Sequence, residues 1–200
     1  MNASNRLVAA AVLVLVGCAS SPSPAPVLLS LPSAVTSAAP VALEASSPHL
    51  LAIRRISIPE YLVARRVRYR ADASTLAEWH NTYWAERIEI GVSREFVSAL
   101  RRQLPGWALC DTTCGDGVPS LALQVDLVPM DFVRSSQQLQ ARARVTVSAA
   151  GTTPRVLRAM ELEYSLPASA DTAQAQAQAI TELIRQVAQA TAPLITAARP

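Results

Sequence analysis

The sequence predicts an α+β domain, a two-layer sandwich in which a mainly antiparallel sheet carries two helices packed on one face. Three observations predict it. Three runs between 121 and 164 alternate apolar and polar residues at the strand period. Two longer stretches, 85–104 and 170–197, repeat their apolar residues at the helical period. The hydrophobic share of 50% is enough to fill a core between two such layers.

The chain opens on a segment read separately from the domain. Arg6 is followed by an uncharged apolar run, Leu7–Val16, and then by Gly17 and Cys18. A basic end, a short apolar stretch and small residues at the cut form a secretory signal. The cysteine directly after the cut makes Leu15-Val16-Gly17-Cys18 a lipobox. Ten apolar residues fall short of the roughly 20 that a spanning helix needs. Residues 1–17 are therefore expected to be a signal peptide, with Cys18 as the lipidated first residue of a chain anchored to a membrane and not spanning it. Ala19 stands where an Asp would favour retention in the inner membrane, so the expected location is the periplasmic face of the outer membrane. Residues 18–48 are rich in Ser, Pro and Ala and read as a tether, interrupted by the β-prone Val27-Leu28-Leu29-Ser30-Leu31, which could join the sheet as a loose strand. The domain proper is placed at 49–200.

Within the domain, 50–58 reads as a strand whose phase slips at Arg54-Arg55, and Pro59 ends it. Val67 and Tyr69 alternate with Arg66, Arg68 and Arg70 as a second strand. Asp72–Ser74 form a turn, and Leu76–His80 are a short hairpin partner. In 85–104, Ile88, Val92, Phe96, Leu100 and Leu104 recur every four residues, with acids early and Arg101-Arg102 late, and Pro105-Gly106 stop the helix. Trp107–Leu109 is a short strand. The meander follows, on Leu121–Leu127, Leu139–Val147 and Met160–Tyr164, with loops at Pro129 and at Gly151–Pro154. The second helix carries Ile180, Leu183, Ile184, Val187, Thr191, Leu194 and Ile195 on one stripe.

Charge and cysteine usage narrow the function classes. All 18 basic residues are Arg, and the formal net charge of +3 falls by one when the signal leaves. So small an excess gives no nucleic-acid footprint. Beyond Cys18, Cys110 and Cys114 form an even pair in an oxidising compartment, and a local disulfide is expected. Only two histidines exist and neither neighbours the cysteines, so no metal site is expected. No nucleophile elbow, phosphate loop or metalloprotease helix is present. Glu78-Trp79-His80 lacks a nucleophile and an orienting partner, so the chain reads as non-catalytic, without a cofactor. Contact residues are a better expectation. Six arginines fall between 54 and 70, and Tyr61, Tyr69, Trp79, Tyr83 and Trp84 crowd the same region. Arg66, Arg68, Arg70 and Trp84 are the candidate contacts to a lipid headgroup or a protein partner, set against the plainer reading of a solvated strand face and core aromatics.

At this segment the chain resembles a known family. Ile56-Ser57-Ile58-Pro59-Glu60-Tyr61-Leu62, then Leu76-Ala77-Glu78-Trp79-His80, then Tyr83-Trp84-Ala85-Glu86-Arg87-Ile88 leading into a helix, are similar in order to the ABC-type transport auxiliary lipoproteins, the PqiC-like group. Arg87 replaces that group's usual proline, and the 27–31 strand lacks its tyrosines. The resemblance implies a non-catalytic accessory of an ABC permease and Mce-domain system that moves phospholipid or other hydrophobic molecules across the envelope, with ring-like homo-oligomers among its members. The alternative is a structural lipoprotein that assists assembly of an outer-membrane complex.

Overall fold

The computed structural model describes residues 24–33, 49–111, 114–151 and 153–198. Residues 1–17, expected as a signal peptide, Cys18 and most of the 18–48 stretch lie outside these. The described chain forms strands β1 (Val27–Leu29), β2 (His49–Ile53), β3 (Arg66–Arg70) and β4 (Leu76–Trp84), and then helix α1 (Ile88–Gln103). Strands β5 (Trp107–Cys110), β6 (Leu121–Val133), β7 (Gln138–Ala149) and β8 (Arg155–Pro167) follow, and helix α2 (Ala173–Ala197) closes the fold.

The meander is the backbone of the sheet. β6, β7 and β8 pair antiparallel almost along their full lengths. Leu121, Leu123, Val125 and Leu127 of β6 and Leu139, Ala143, Val145 and Val147 of β7 are buried on one face. Each large aliphatic chain buried there contributes roughly 1.5–3 kcal/mol over exposure. The opposite face carries a charge lattice in which Arg142 and Arg144 pair with Glu161, and Arg142 also with Glu163. The outer side of β6 is shared. Near its start it pairs parallel with β2, which in turn holds β5, and near its end it meets β3, which holds β4 and then β1.

The two helices cover the apolar face and pack on each other. α1 presents Ile88, Val92, Phe96, Ala99 and Leu100, all buried. It stops where Gly106 adopts φ +80°, a left-handed conformation glycine takes without penalty. α2 starts at Thr172, whose Oγ1 accepts the Ala175 amide at 3.1 Å. Its stripe Ile180, Leu183, Ile184, Val187 and Ile195 is buried as the periodicity predicts.

Several boundaries differ from the sequence expectation. β2 ends at Ile53; Ile56 and Ile58 are buried, but the only pairing there is a parallel bridge from Ser57 to Asp126. β6 does not stop at Pro129. The proline sits within the strand at a register shift between Leu127 and Met130, and the chain reverses later, between Val133 and Gln138. β4 runs on to Trp84 through an irregularity at Asn81, whose φ is +48°. Val27–Leu29 pair parallel with Thr82–Trp84 and enter the sheet as its edge strand.

Candidate functional site

The β3–β4 hairpin carries the arginine cluster because its residues alternate across the pleat. Val67 points to the core and is fully buried, and Tyr69 packs against Trp79 with ring centres 4.8 Å apart. Arg66, Arg68 and Arg70 therefore line the opposite, open face of the sheet. There they meet acids that the fold supplies from elsewhere. Glu78, the cross-strand partner of Arg68, takes ion pairs from Arg66 at 3.3 Å and Arg68 at 3.2 Å. Asp131 of β6 accepts Arg70 Nε at 2.9 Å and the Tyr61 hydroxyl at 2.8 Å. Burial and the bond to Asp131 push the Tyr61 phenol above its ordinary pKa, and the same carboxylate holds the Arg70 guanidinium more firmly charged.

The four sequence candidates fare differently. Arg70 is only 22% exposed, and two of its guanidinium nitrogens are hydrogen-bonded, one to Asp131 and one to the Ala73 carbonyl. Arg68 is held between Glu78 and the Tyr61 carbonyl. Arg66 is half exposed and lies over the Tyr83 ring at 5.3 Å. Trp84 is 5% exposed and packs in the core, because β4 continues through it and turns its indole inward beside Leu29. As a surface contact Trp84 is therefore corrected to a core residue. Cys110 and Cys114 are joined by a disulfide. Cys18 lies outside the described residues.

Other residues complete the site from the core side. Gln176 of α2 is buried, accepts Trp79 Nε1–H at 2.7 Å and donates Nε2 to the Arg68 carbonyl at 2.8 Å. It thus bolts the second helix to the hairpin. The signal was present in the sequence, since Gln176 falls on the helical stripe of Ile180, Leu183 and Val187. Arg134 stacks on Trp79 and Tyr69 and pairs with Asp171 at 2.9 Å. His80 is exposed, and no group of His, Cys, Asp and Glu among the described residues is arranged to hold a metal.

A second surface lies beside α1. A groove of about 380 Å³ is lined by Ile53, Ile56, Ile90 and Val97, by Arg54, Arg55, Arg94 and Arg101, and by the carboxylate of Asp111. Among the described residues no ion pair engages the guanidinium groups of Arg54, Arg55 and Arg101. No helix among them is long and apolar enough to cross a membrane.

These features define a helix-covered α+β domain whose open surfaces set arginines among apolar and aromatic side chains. The chain belongs to the family of ABC-type transport auxiliary lipoprotein components, whose model matches residues 29–192. The match begins at Leu29, the last residue of β1, and ends within α2. Among solved structures the fold is similar to that of an uncharacterized protein at 16% identity and TM-score 0.69, covering 86% of this chain and 99% of that one. It is also similar to a protein from Xanthomonas campestris at 16% identity and TM-score 0.57, covering 74% and 84%. No curated protein matches the sequence.

Proposed function

We propose that this protein is a non-catalytic, lipid-anchored accessory on the periplasmic face of the outer membrane, serving an ABC and Mce-type system that moves phospholipid or other hydrophobic molecules. The observation that carries the reading is the family match over residues 29–192, most of the folded domain, together with the lipobox at Cys18. Family membership gives the transporter association; the Mce partner and the outer membrane are our extension of it. The groove beside α1 suits the partner. Apolar side chains share its lining with Arg54, Arg55, Arg94 and Arg101 against the single carboxylate of Asp111, and that positive balance suits an acidic segment of a transport component.

The test is a detergent pull-down of the full-length lipoprotein with mass spectrometry of bound proteins and lipids. An ABC or Mce component is the expected partner, and charge reversal at Arg54, Arg55 and Arg101 lowers its recovery. A β-barrel or secretin without any transport component points instead to the assembly role.

A further inference from the structure

We infer that the domain rests directly on the lipid surface through one row of side chains, Leu28, Tyr83 and Arg66, rather than hanging from a long tether. The inference rests on the reading of Cys18 as the lipidated residue.

Chain length is the first argument. The 18–48 stretch reads in sequence as one linker, yet the fold takes its middle. β1 is paired to β4 through three register positions. Asn81 Nδ2 donates to the Pro24 carbonyl at 2.8 Å and the Ala25 carbonyl at 3.1 Å. Leu31 is buried and lies at 3.6 Å from where a Cβ on Gly91 of α1 would stand, while Ser33 donates to Glu95 at 2.8 Å. Only residues 19–23 then separate Cys18 from the docked chain. Six peptide steps span about 20 Å at full extension. A domain of this size is about 40 Å across. The anchor is shorter than the body it holds, so the end bearing Pro24 is kept at the bilayer.

The chemistry of that end is the second argument. Leu28 pairs in register with Tyr83, and Tyr83 with Arg66, so the three side chains lie in a row across β1, β4 and β3 on the same face. That face is the open one, because the alternate positions Leu29 and Trp84 are the buried ones. Leu28 is 55% exposed, and Val27 beside it is also exposed. Pro24, Arg66, His80, Asn81 and Tyr83 line one open hollow there. An aliphatic chain, an amphipathic phenol and an arginine that reaches past its aromatic neighbour form the sequence of groups met on crossing from acyl chains to headgroup phosphate. Among the described residues Glu78 is the carboxylate that pairs with Arg66, and it also holds Arg68, so the half-exposed guanidinium can turn to an anionic headgroup without stranding the acid.

The test uses the full-length lipidated protein in vesicles of phosphatidylethanolamine and phosphatidylglycerol. Leu28→Cys and, separately, His80→Cys are labelled with a fluorophore, the native pair being closed as the Cys110–Cys114 disulfide. Val156→Cys on β8 is the control. Val156 is exposed and lies five strand spacings from β1, roughly 24 Å. Nitroxide-headgroup lipids are expected to quench the labels at 28 and 80 several-fold more than the label at 156, and Arg66→Glu is expected to cut that difference by half or more. Equal quenching at all three positions, in protein that floats with the vesicles, overturns the docked arrangement while leaving the lipoprotein reading standing. Protein that does not float at all overturns both, and the mass of its N-terminal peptide shows whether Cys18 is unmodified.

Discussion

Replacing Gln176 by Ala should loosen the bolt between α2 and the arginine hairpin at a cost that can be worked from the structure. The side chain is 3% exposed and makes two hydrogen bonds, to the Trp79 indole at 2.7 Å and to the Arg68 carbonyl at 2.8 Å. Each bond is worth about 1 kcal/mol net, and each partner left buried without a bond costs about 1–3 kcal/mol. The expected loss is therefore about 2–4 kcal/mol, a large part of the 5–15 kcal/mol that holds a typical domain. At roughly 2–4 °C per kcal/mol for a domain of this size, Tm should fall by about 5–15 °C. Gln176→Met separates the causes. It keeps most of the volume but makes neither bond, so it should lose nearly as much as Ala. Urea unfolding followed by tryptophan emission reads both variants, and the folded-state emission of Trp79 should shift as its indole loses its partner. If both variants unfold within about 0.5 kcal/mol of the parent, Gln176 is not the bolt and the reasoning from buried polar bonds is wrong here.

Further expectations follow from the same geometry. Glu78→Ala frees Arg66 and Arg68 on a face where their ion pairs are about one-third to one-half exposed, so urea unfolding should change by less than about 1 kcal/mol while retention on anionic vesicles rises. Leu31→Ala removes a buried side chain that pins the 24–33 segment, and denaturant titration should show a loss of about 2–4 kcal/mol. Reducing Cys110–Cys114 opens a short loop and should cost about 2 kcal/mol on the same titration, with far-ultraviolet circular dichroism unchanged. For pH, Tyr61 is held protonated more tightly in the fold than in the unfolded chain. Its contribution is fully present below the ordinary tyrosine range near pH 10 and is lost as pH rises through and above it. Tyr61→Phe should flatten that alkaline loss in a stability-versus-pH profile.

Much of the fold was legible because its signals are local. The meander and both helices announce themselves in alternation and in four-residue spacing, and Pro105-Gly106 marks the end of α1 where the chain does turn. What escaped was non-local or irregular. Asn81 breaks the alternation of β4 with a positive φ, so the sequence ends that strand at His80 and leaves Trp84 open as a contact or a core aromatic, whereas continued pairing turns it inward. Pro129 reads in sequence as part of a loop, yet it sits at a register shift inside β6, and the strand runs on to place Asp131 beside Arg70. The partners of the arginines could not be read from their own stretch, since Asp131 stands 61 residues from Arg70. The parallel pairings of β2 and β3 with β6 join segments far apart in the chain, and no period in either one names its neighbour.

The proposed role has a lipid-held domain receiving a transport component at the groove beside α1. A photo-crosslinking residue at Arg55, in cells carrying the full chain, tests it most directly. Crosslinks to an ABC or Mce component are expected, and they are lost when Arg54 and Arg101 are reversed to Glu. Crosslinks only to a β-barrel assembly partner, with transport components absent from every sample, would contradict it.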